Sequence, residues 1–379
     1  MQTRQAVRTD GKWSSPLSSN GQRESTDLAL VFGARALLKD PVITEEIQEA
    51  FPFAKVVGCS TAGEIQGTQV FDDTVCVTSV AFEHTTLSSA SFEAMGEFCS
   101  REAGIELVSS LPTDGLRHVL VISNGLLVNG SELVKGITEA LPEGISVTGG
   151  LSADGADFEQ TVVMSDGTVS STRVAAIGFY GDRLRVGHGS LGGWDSFGPR
   201  RRVTRAEGNI LYELDGRPGL DLYRKYLGDA ADGLPATGLL FPLSIEIPGA
   251  EGELVRTILA INEDAGTMTF AGDVPEGATA RLMRANFDRL IDGASGAARS
   301  AVQSPADEPP DLAILISCVG RKLVLKQRVE EEVEAVHEAL GGDPVMTGFY
   351  SYGEISPVVH AARCELHNQT MTVTTFTET

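Results

Sequence analysis

The chain is 379 residues long, 42% hydrophobic, and carries a formal charge of −22, and a length of this order makes two or three structural units the expectation. The acidity works against nucleic acid and anionic lipid, which need positive surface to release counterions, and no apolar run reaches the ~20 residues of a membrane helix. Five scattered cysteines, Cys59, Cys76, Cys99, Cys318 and Cys364, argue against a disulfide framework and for a reducing cytoplasm.

The opening stretch MQTRQAVRTDGKWSSPLSSNGQ is polar and lacks the apolar centre of a secretory signal. Residues 1–25 read as a flexible tail. The first ordered elements expected are a strand in DLALVFGAR, a helix in ITEEIQEAF and a second strand in KVVGCSTAGEI. The same order returns as HVLVISNG, SELVKGITEAL and SVTGGLSADG, and again as DLAILISCVGR, RVEEEVEAVHEAL and PVMTGFYSYGEI. Apolar residues fall at helical spacing in each middle segment: Ile43, Ile47 and Ala50, then Leu133, Ile137 and Ala140, then Val329, Val333 and Val336. Each unit closes on a Gly-rich turn, with Gly58/Gly63, Gly150/Gly155 and Gly348/Gly353 as the matched pairs.

Strand, helix, strand is a βαβ unit, and unbroken apolar strands predict a sheet covered on both faces. The segments after the turns, such as TVCVTSVAF and HNQTMTVTTF, are rich in β-branched residues and predict further, antiparallel strands. Between the second and third units, VTRAEGNILYELDGRPGLDLYRKYLG predicts a strand and then a helix over about 219–227, and the stretch from FPLSIEIPGAEG to DVPEGATARLMRA predicts hairpins. The expected fold class is α/β of the mixed α+β kind: repeated β-α-β units with extra antiparallel strands, in two domains.

The passages VTRAEGNILYELDGRPGLDLY, VRTILAIN followed by DVPEGA, and CVGR followed by GFYSYGEI and LHNQT resemble the FIST family of paired N- and C-terminal sensory domains in bacterial signalling proteins. The resemblance covers roughly residues 27–379 and implies domains at 26–217 and 218–379. It implies a non-catalytic sensor of a small ligand, such as an amino acid. A free-standing subset of the family binds haem and senses nitric oxide, passing the signal to a histidine kinase or a cyclic-di-GMP enzyme. The sequence shows no kinase, methyl-acceptor or cyclase domain, so the output is expected to run through a separate partner.

Ligands of open α/β sheets sit outside the carboxyl ends of the strands, where the Gly turns are expected. There Cys59, Ser60, Thr61, Gly63 and Ser152 lie in the turns, Glu64 and Glu354 could receive an ammonium, and Arg35 and Arg321 could hold a carboxylate. Tyr350 and Tyr352 would add aromatic walls, and His367 and Asn368 in HNQT would orient a ligand. The competing reading is a plain structural corner, with His367 a hydrogen-bonded core residue. His360, Cys364 and His367 stand at helical metal spacing, but the surrounding alternation reads as strand and does not put them on one face. GHGSLGG matches a dinucleotide fingerprint only in letters, because no helix follows it. His188 within it, near Trp194 and Phe197, is the candidate haem ligand for the alternative reading. A hydrolase using Cys59 or Ser60 is the third reading, although GCSTAG lacks the second Gly of a nucleophile elbow.

Overall fold

The computed structural model describes residues 1–18, 26–94, 100–234, 236–249, 253–302, 309–357 and 364–379. Three units repeat one plan. The first runs β1 (Leu28–Gly33), α1 (Pro41–Ala50), β2 (Lys55–Ser60), β3 (Glu64–Gln66) and β4 (Val75–Ala81). The second runs β5 (Leu116–Ser123), α2 (Gly130–Ala140), β6 (Ser146–Leu151), β7 (Val163–Ser165) and β8 (Arg173–Tyr180). The third runs β9 (Leu312–Cys318), α3 (Val319–Leu325), α4 (Val329–Leu340), β10 (Val345–Ser351), β11 (Gly353–Pro357) and β12 (Met371–Glu378).

Within each unit the two long strands pair in parallel and the last strand pairs antiparallel with the first. The short return strand, however, leaves its own unit. β3 pairs with β10, β11 pairs with β6, and β7 pairs with β2, so each unit hands one strand to another around a closed ring. Three backbone bonds mark the centre of that ring: Ala62 N to the Tyr350 carbonyl at 2.9 Å, Tyr352 N to Leu151 at 3.1 Å, and Ala153 N to Ser60 at 2.8 Å. The repeated turns are therefore, first of all, the corners of a pseudo-threefold exchange.

Alternation along the strands explains why the sheets are buried on both sides. Leu28, Leu30 and Phe32 join Leu120, Ile122, Ile314 and Ile316 in one central cluster, where Phe32 lies 4.7 Å from Phe349. Ala29 and Val31 face outward, against Ile43 and Ile47 of α1. Burying a Leu- or Phe-sized side chain is worth about 1.5–3 kcal/mol, so the register of each strand is strongly specified.

Two expectations need correction. The tail predicted over residues 1–25 is a strand at Gln2–Thr9, which pairs with β4 from Gln2↔Ala81 to Arg8↔Val75 and turns back at Lys12–Trp13. It is an edge strand whose outer residues are polar and whose Ala6 and Val7 are buried, and edges tolerate such polarity. The glycine equivalent to Gly58 and Gly348 is Gly149, not Gly150. A Cβ at 58, 149 or 348 would overlap the carbonyl oxygen of Val31, Val121 or Leu315 on the parallel neighbour, whereas Gly150 faces the Ile316 side chain.

The intervening region is separate in its pairing. Strands from Asp195–Glu207 to Thr279–Arg284 form an eight-stranded antiparallel sheet around the helix Gly219–Leu227. Residue 217 falls in Arg217–Pro218, which pairs with Ile210–Leu214. Chain segments on the two sides of that point share three of the four sheets, since β10 and β11 complete sheets with β3 and β6 and the antiparallel sheet runs across the point itself. Among the described residues no helix is long and apolar enough to cross a membrane.

Candidate functional site

The corners carry the same chemistry twice. In the first, Glu64 is 1% exposed, with Thr61 Oγ1 donating to Oε1 and Thr74 Oγ1 donating to Oε2 at 2.6 Å. In the third, Glu354 is fully buried; Ser351 Oγ donates to Oε1 at 2.6 Å, and Thr370 N and Oγ1 donate to Oε2 at 3.2 and 2.9 Å. Burial pushes the Glu64 carboxyl up to about 7 and the Glu354 carboxyl up to about 8, against the opposing pull of those hydroxyl bonds. In the second corner the place of the acid is taken by Gly155, and Ser152 Oγ has no partner among the described residues.

The predicted cradle does not assemble as one site. Arg321 is a core residue: its guanidinium bonds Glu332 at 2.7 and 3.0 Å, the Leu290 carbonyl at 2.7 Å, and the Gly192 carbonyl. Both members of that ion pair are fully buried, and Glu332 also accepts from Ser317 and from the Tyr350 hydroxyl at 2.7 Å. A buried arginine must be paired, which is why it is not free for a ligand. Cys59 and Ser60 are buried; burial holds the Cys59 thiol well above its ordinary value, and Ser60 Oγ accepts from Val162 N. Neither is an accessible nucleophile, which removes the residues of the hydrolase reading. His367 bonds the Ser356 carbonyl at 2.9 Å and burial lowers it to about 4, as the core-histidine reading requires. Cys59, Ser60, Ser152, Arg321, Tyr350, Glu354 and His367 line neither of the two cavities described here.

Arg35, Thr61, Gly63 and Glu64 do meet, at a cavity of about 250 Å³ that is crowded with Asp72, Asp73, Asp154 and Asp157. Arg35 is already taken up there, by Asp154 at 2.7 Å, by Asp157 and Glu159 at 3.3 Å, and by the Gln160 carbonyl. Asp154 in turn accepts from the Tyr352 hydroxyl and from the backbone of Phe158, Glu159 and Gln160. These bonds fix the 154–160 loop and stack Phe158 on Tyr352, with centroids 4.5 Å apart and planes at 6°.

That stack borders a larger cavity of about 460 Å³. Its floor comes from the carboxyl ends of β5, β6 and β9, with the loop 125–130, Leu151 and Cys318–Gly320, joined by Tyr352 between β10 and β11 and by Asn368 ahead of β12. Its roof comes from the antiparallel region, with Asn209, Thr257, Leu259 and the stretch 270–272. Arg256, buried and lowered to about 10 by that burial, ties roof to floor through the carbonyls of Asp273 at 2.9 Å and Leu366 at 3.0 Å. No charged side chain stands among the described lining residues. Instead, the cavity receives the first turn of α2, whose N-cap Asn129 accepts from Glu132 N at 3.1 Å. Asn368 is 1% exposed, and neither its Nδ2 nor its Oδ1 has a hydrogen-bond partner among the described residues. Thr257 Oγ1, on the roof, is likewise buried and unpartnered. Of the predicted residues only Tyr352 and Asn368 reach this cavity.

Sequence reasoning missed the loop 125–130, Phe158 and the roof. The signal for α2 was present, because Asn129 stands three residues before Glu132 ahead of an apolar run. Thr257 and Leu259 carried none.

His188, on the strand Leu184–Leu191, is flanked by Gly187 and Gly189, where any side chain would overlap the carbonyls of Ala301 and Ala297. The proximity of His188 adds to the burial that lowers His118 to about 3. Trp194 bonds the Gln369 carbonyl at 2.8 Å and Phe197 packs on Phe241, so the apolar walls expected for a macrocycle are engaged elsewhere. His188 lines neither cavity, and these residues do not fit haem. His360 lies outside the described residues, and among those described no group of three or more His, Cys, Asp or Glu is placed to hold a metal.

Comparison with known families matches the FIST N domain over residues 27–217 and the FIST C domain over residues 219–357. The chain belongs to the FIST family. FIST domains are sensory domains that bind small ligands. A relative of this FIST protein, an uncharacterised protein of Methanocaldococcus jannaschii, is 23% identical over 337 residues, spanning 80% of this chain and 62% of the relative. The chain thus spans about three fifths of that relative's length. Among solved structures, a cyanuric acid hydrolase from A. caulinodans overlays 100% of this chain and 98% of its own at 9% identity, with a TM-score of 0.38, too low for an inference about chemistry.

Proposed function

We propose that this FIST protein is a sensor of an amino-acid-like small metabolite that binds in the 460 Å³ cavity between the strand ends and the antiparallel roof. The observation that carries the reading is Asn368, a buried amide on the cavity wall whose polar groups both lack a partner among the described residues. Native interiors pair almost all such groups, so a pair left over beside a cavity is a ligand's complement. The first turn of α2 supplies backbone N–H groups and the positive end of a helix dipole to a carboxylate. Asn368 and Thr257 meet the remaining polar groups. A ligand touching both floor and roof favours the arrangement in which they are closed on it, and that differential affinity is the signal. Transmission to a separate partner, a histidine kinase or a cyclic-di-GMP enzyme in the cytoplasm, belongs to the same reading.

The test is a thermal-shift screen of the amino acids on the wild type and on Asn368→Leu. At 100 times its Kd a ligand adds about 2.7 kcal/mol, which for a chain of this length raises Tm by about 3 °C. At least one amino acid should do so, and Asn368→Leu should abolish the shift. A flat screen, or a shift that survives in the variant, contradicts the reading.

A further inference from the structure

We infer that the group held by Asn368 is an uncharged carboxamide, carried on an apolar body. This rests on the cavity being the sensor site and adds the chemical class of its ligand. An asparagine side chain offers one acceptor and two donor hydrogens on a single planar edge. An ammonium would satisfy only Oδ1 and a carboxylate only Nδ2, leaving the other buried group unpaired. A primary carboxamide satisfies both at once, in a pair of antiparallel hydrogen bonds. The surroundings agree. No charged side chain among the described lining residues stands ready to balance an ion at this wall, and an unbalanced buried charge is far more costly than a buried amide. Thr257 Oγ1, also without a partner among the described residues, is a further neutral donor and acceptor on the opposite wall. Towards the mouth the lining changes character: Leu126, Leu127, Phe158 and Leu259 are all partly exposed to solvent and all line the cavity. A polar wall and an apolar rim together select a ligand that turns an amide on a hydrocarbon stem towards Asn368 while its carboxylate meets the first turn of α2.

The experiment uses three probes that share one tail: hexanamide, hexanoate and hexylamine, titrated onto the full chain by ligand-observed NMR. Wild-type protein should bind hexanamide about tenfold more tightly than either charged probe, the discrimination expected when one buried hydrogen-bonding group is left unpaired. Asn368→Asp, which only accepts, should turn the preference towards hexylamine. Asn368→Leu should remove the preference while far-UV circular dichroism stays native. Equal or tighter binding of hexanoate or hexylamine to wild type overturns the inference. If amino acids stabilise the wild type and fail on Asn368→Leu while hexanamide shows no preference, the sensor site stands and the amide class falls. If no probe and no amino acid responds to Asn368→Leu, both fall.

Discussion

Replacing Glu354 by Gln should make the protein more stable than wild type at pH 8 and leave it nearly unchanged at pH 4.5. The carboxyl group is fully buried in the third corner, where among the described residues it accepts from the Ser351 and Thr370 hydroxyls and the Thr370 N–H, and burial raises it from 4.5 to about 8. A group whose folded pKa is raised holds its proton more tightly in the folded state. Its contribution is complete below the unfolded pKa and is lost as pH climbs towards the folded value. At about 1.4 kcal/mol per pH unit, the window from 4.5 to 8 corresponds to a loss of about 5 kcal/mol, as an upper bound, in wild type and to none in Glu354→Gln. Glutamine keeps the shape, its oxygen accepting from Thr370 and its amide nitrogen donating to the Ser351 hydroxyl, and has nothing to ionise. Urea denaturation of both proteins at half-unit intervals from pH 4.5 to 8 reads the difference directly, because every other titrating group is common to the two. Parallel stability curves across this range would show that Glu354 is ionised in the fold, and the corner would then regain a carboxylate able to face an ammonium.

Other outcomes follow from the same geometry. Arg321→Met strands Glu332 as an unpaired buried charge and should cost about 3–5 kcal/mol in urea denaturation, whereas Arg321→Met combined with Glu332→Leu should recover most of it. Gly149→Ala should destabilise by about 1–3 kcal/mol or more, as a side chain forced into a filled space does, and by more than Gly150→Ala, because the first drives into the Val121 carbonyl while the second meets the Ile316 side chain first; equal costs would restore the other alignment of the turns. Asn129→Ala removes the cap of α2 and should lower stability by about 1 kcal/mol while weakening any ligand whose carboxylate sits at that turn. Protein incubated with haem should show no Soret band that His188→Ala abolishes.

Much of the plan is written locally. The triplets around Leu28–Gly33, Leu116–Ser123 and Leu312–Cys318 show as apolar strands before helices, and Ile43, Ile47, Leu133, Ile137, Val333 and Val336 are buried as their spacing says. The strand exchange is not written locally. Glu64–Gln66 is three residues long, too short for a pattern, and its partner Thr347–Phe349 lies some 280 positions away. The Gly149–Gly150 doublet offers two registers, and only the carbonyl of Val121 decides between them. Arg321 resembles a surface cation until Glu332, on the next helix, is seen folded onto it. The cavity was the least legible feature, because loop 125–130, Thr257, Tyr352 and Asn368 share no neighbourhood in the sequence and meet only where strand ends and roof converge.

The most direct measurement is a crystal structure of the full chain grown with a saturating amino acid or amide that raises its Tm. Density bonded to both polar atoms of the Asn368 side chain, beneath Thr257 and beside the first turn of α2, is the expected result. Ligand density seated at Arg35 and Glu64 instead, with Asn368 facing only ordered water, would contradict it.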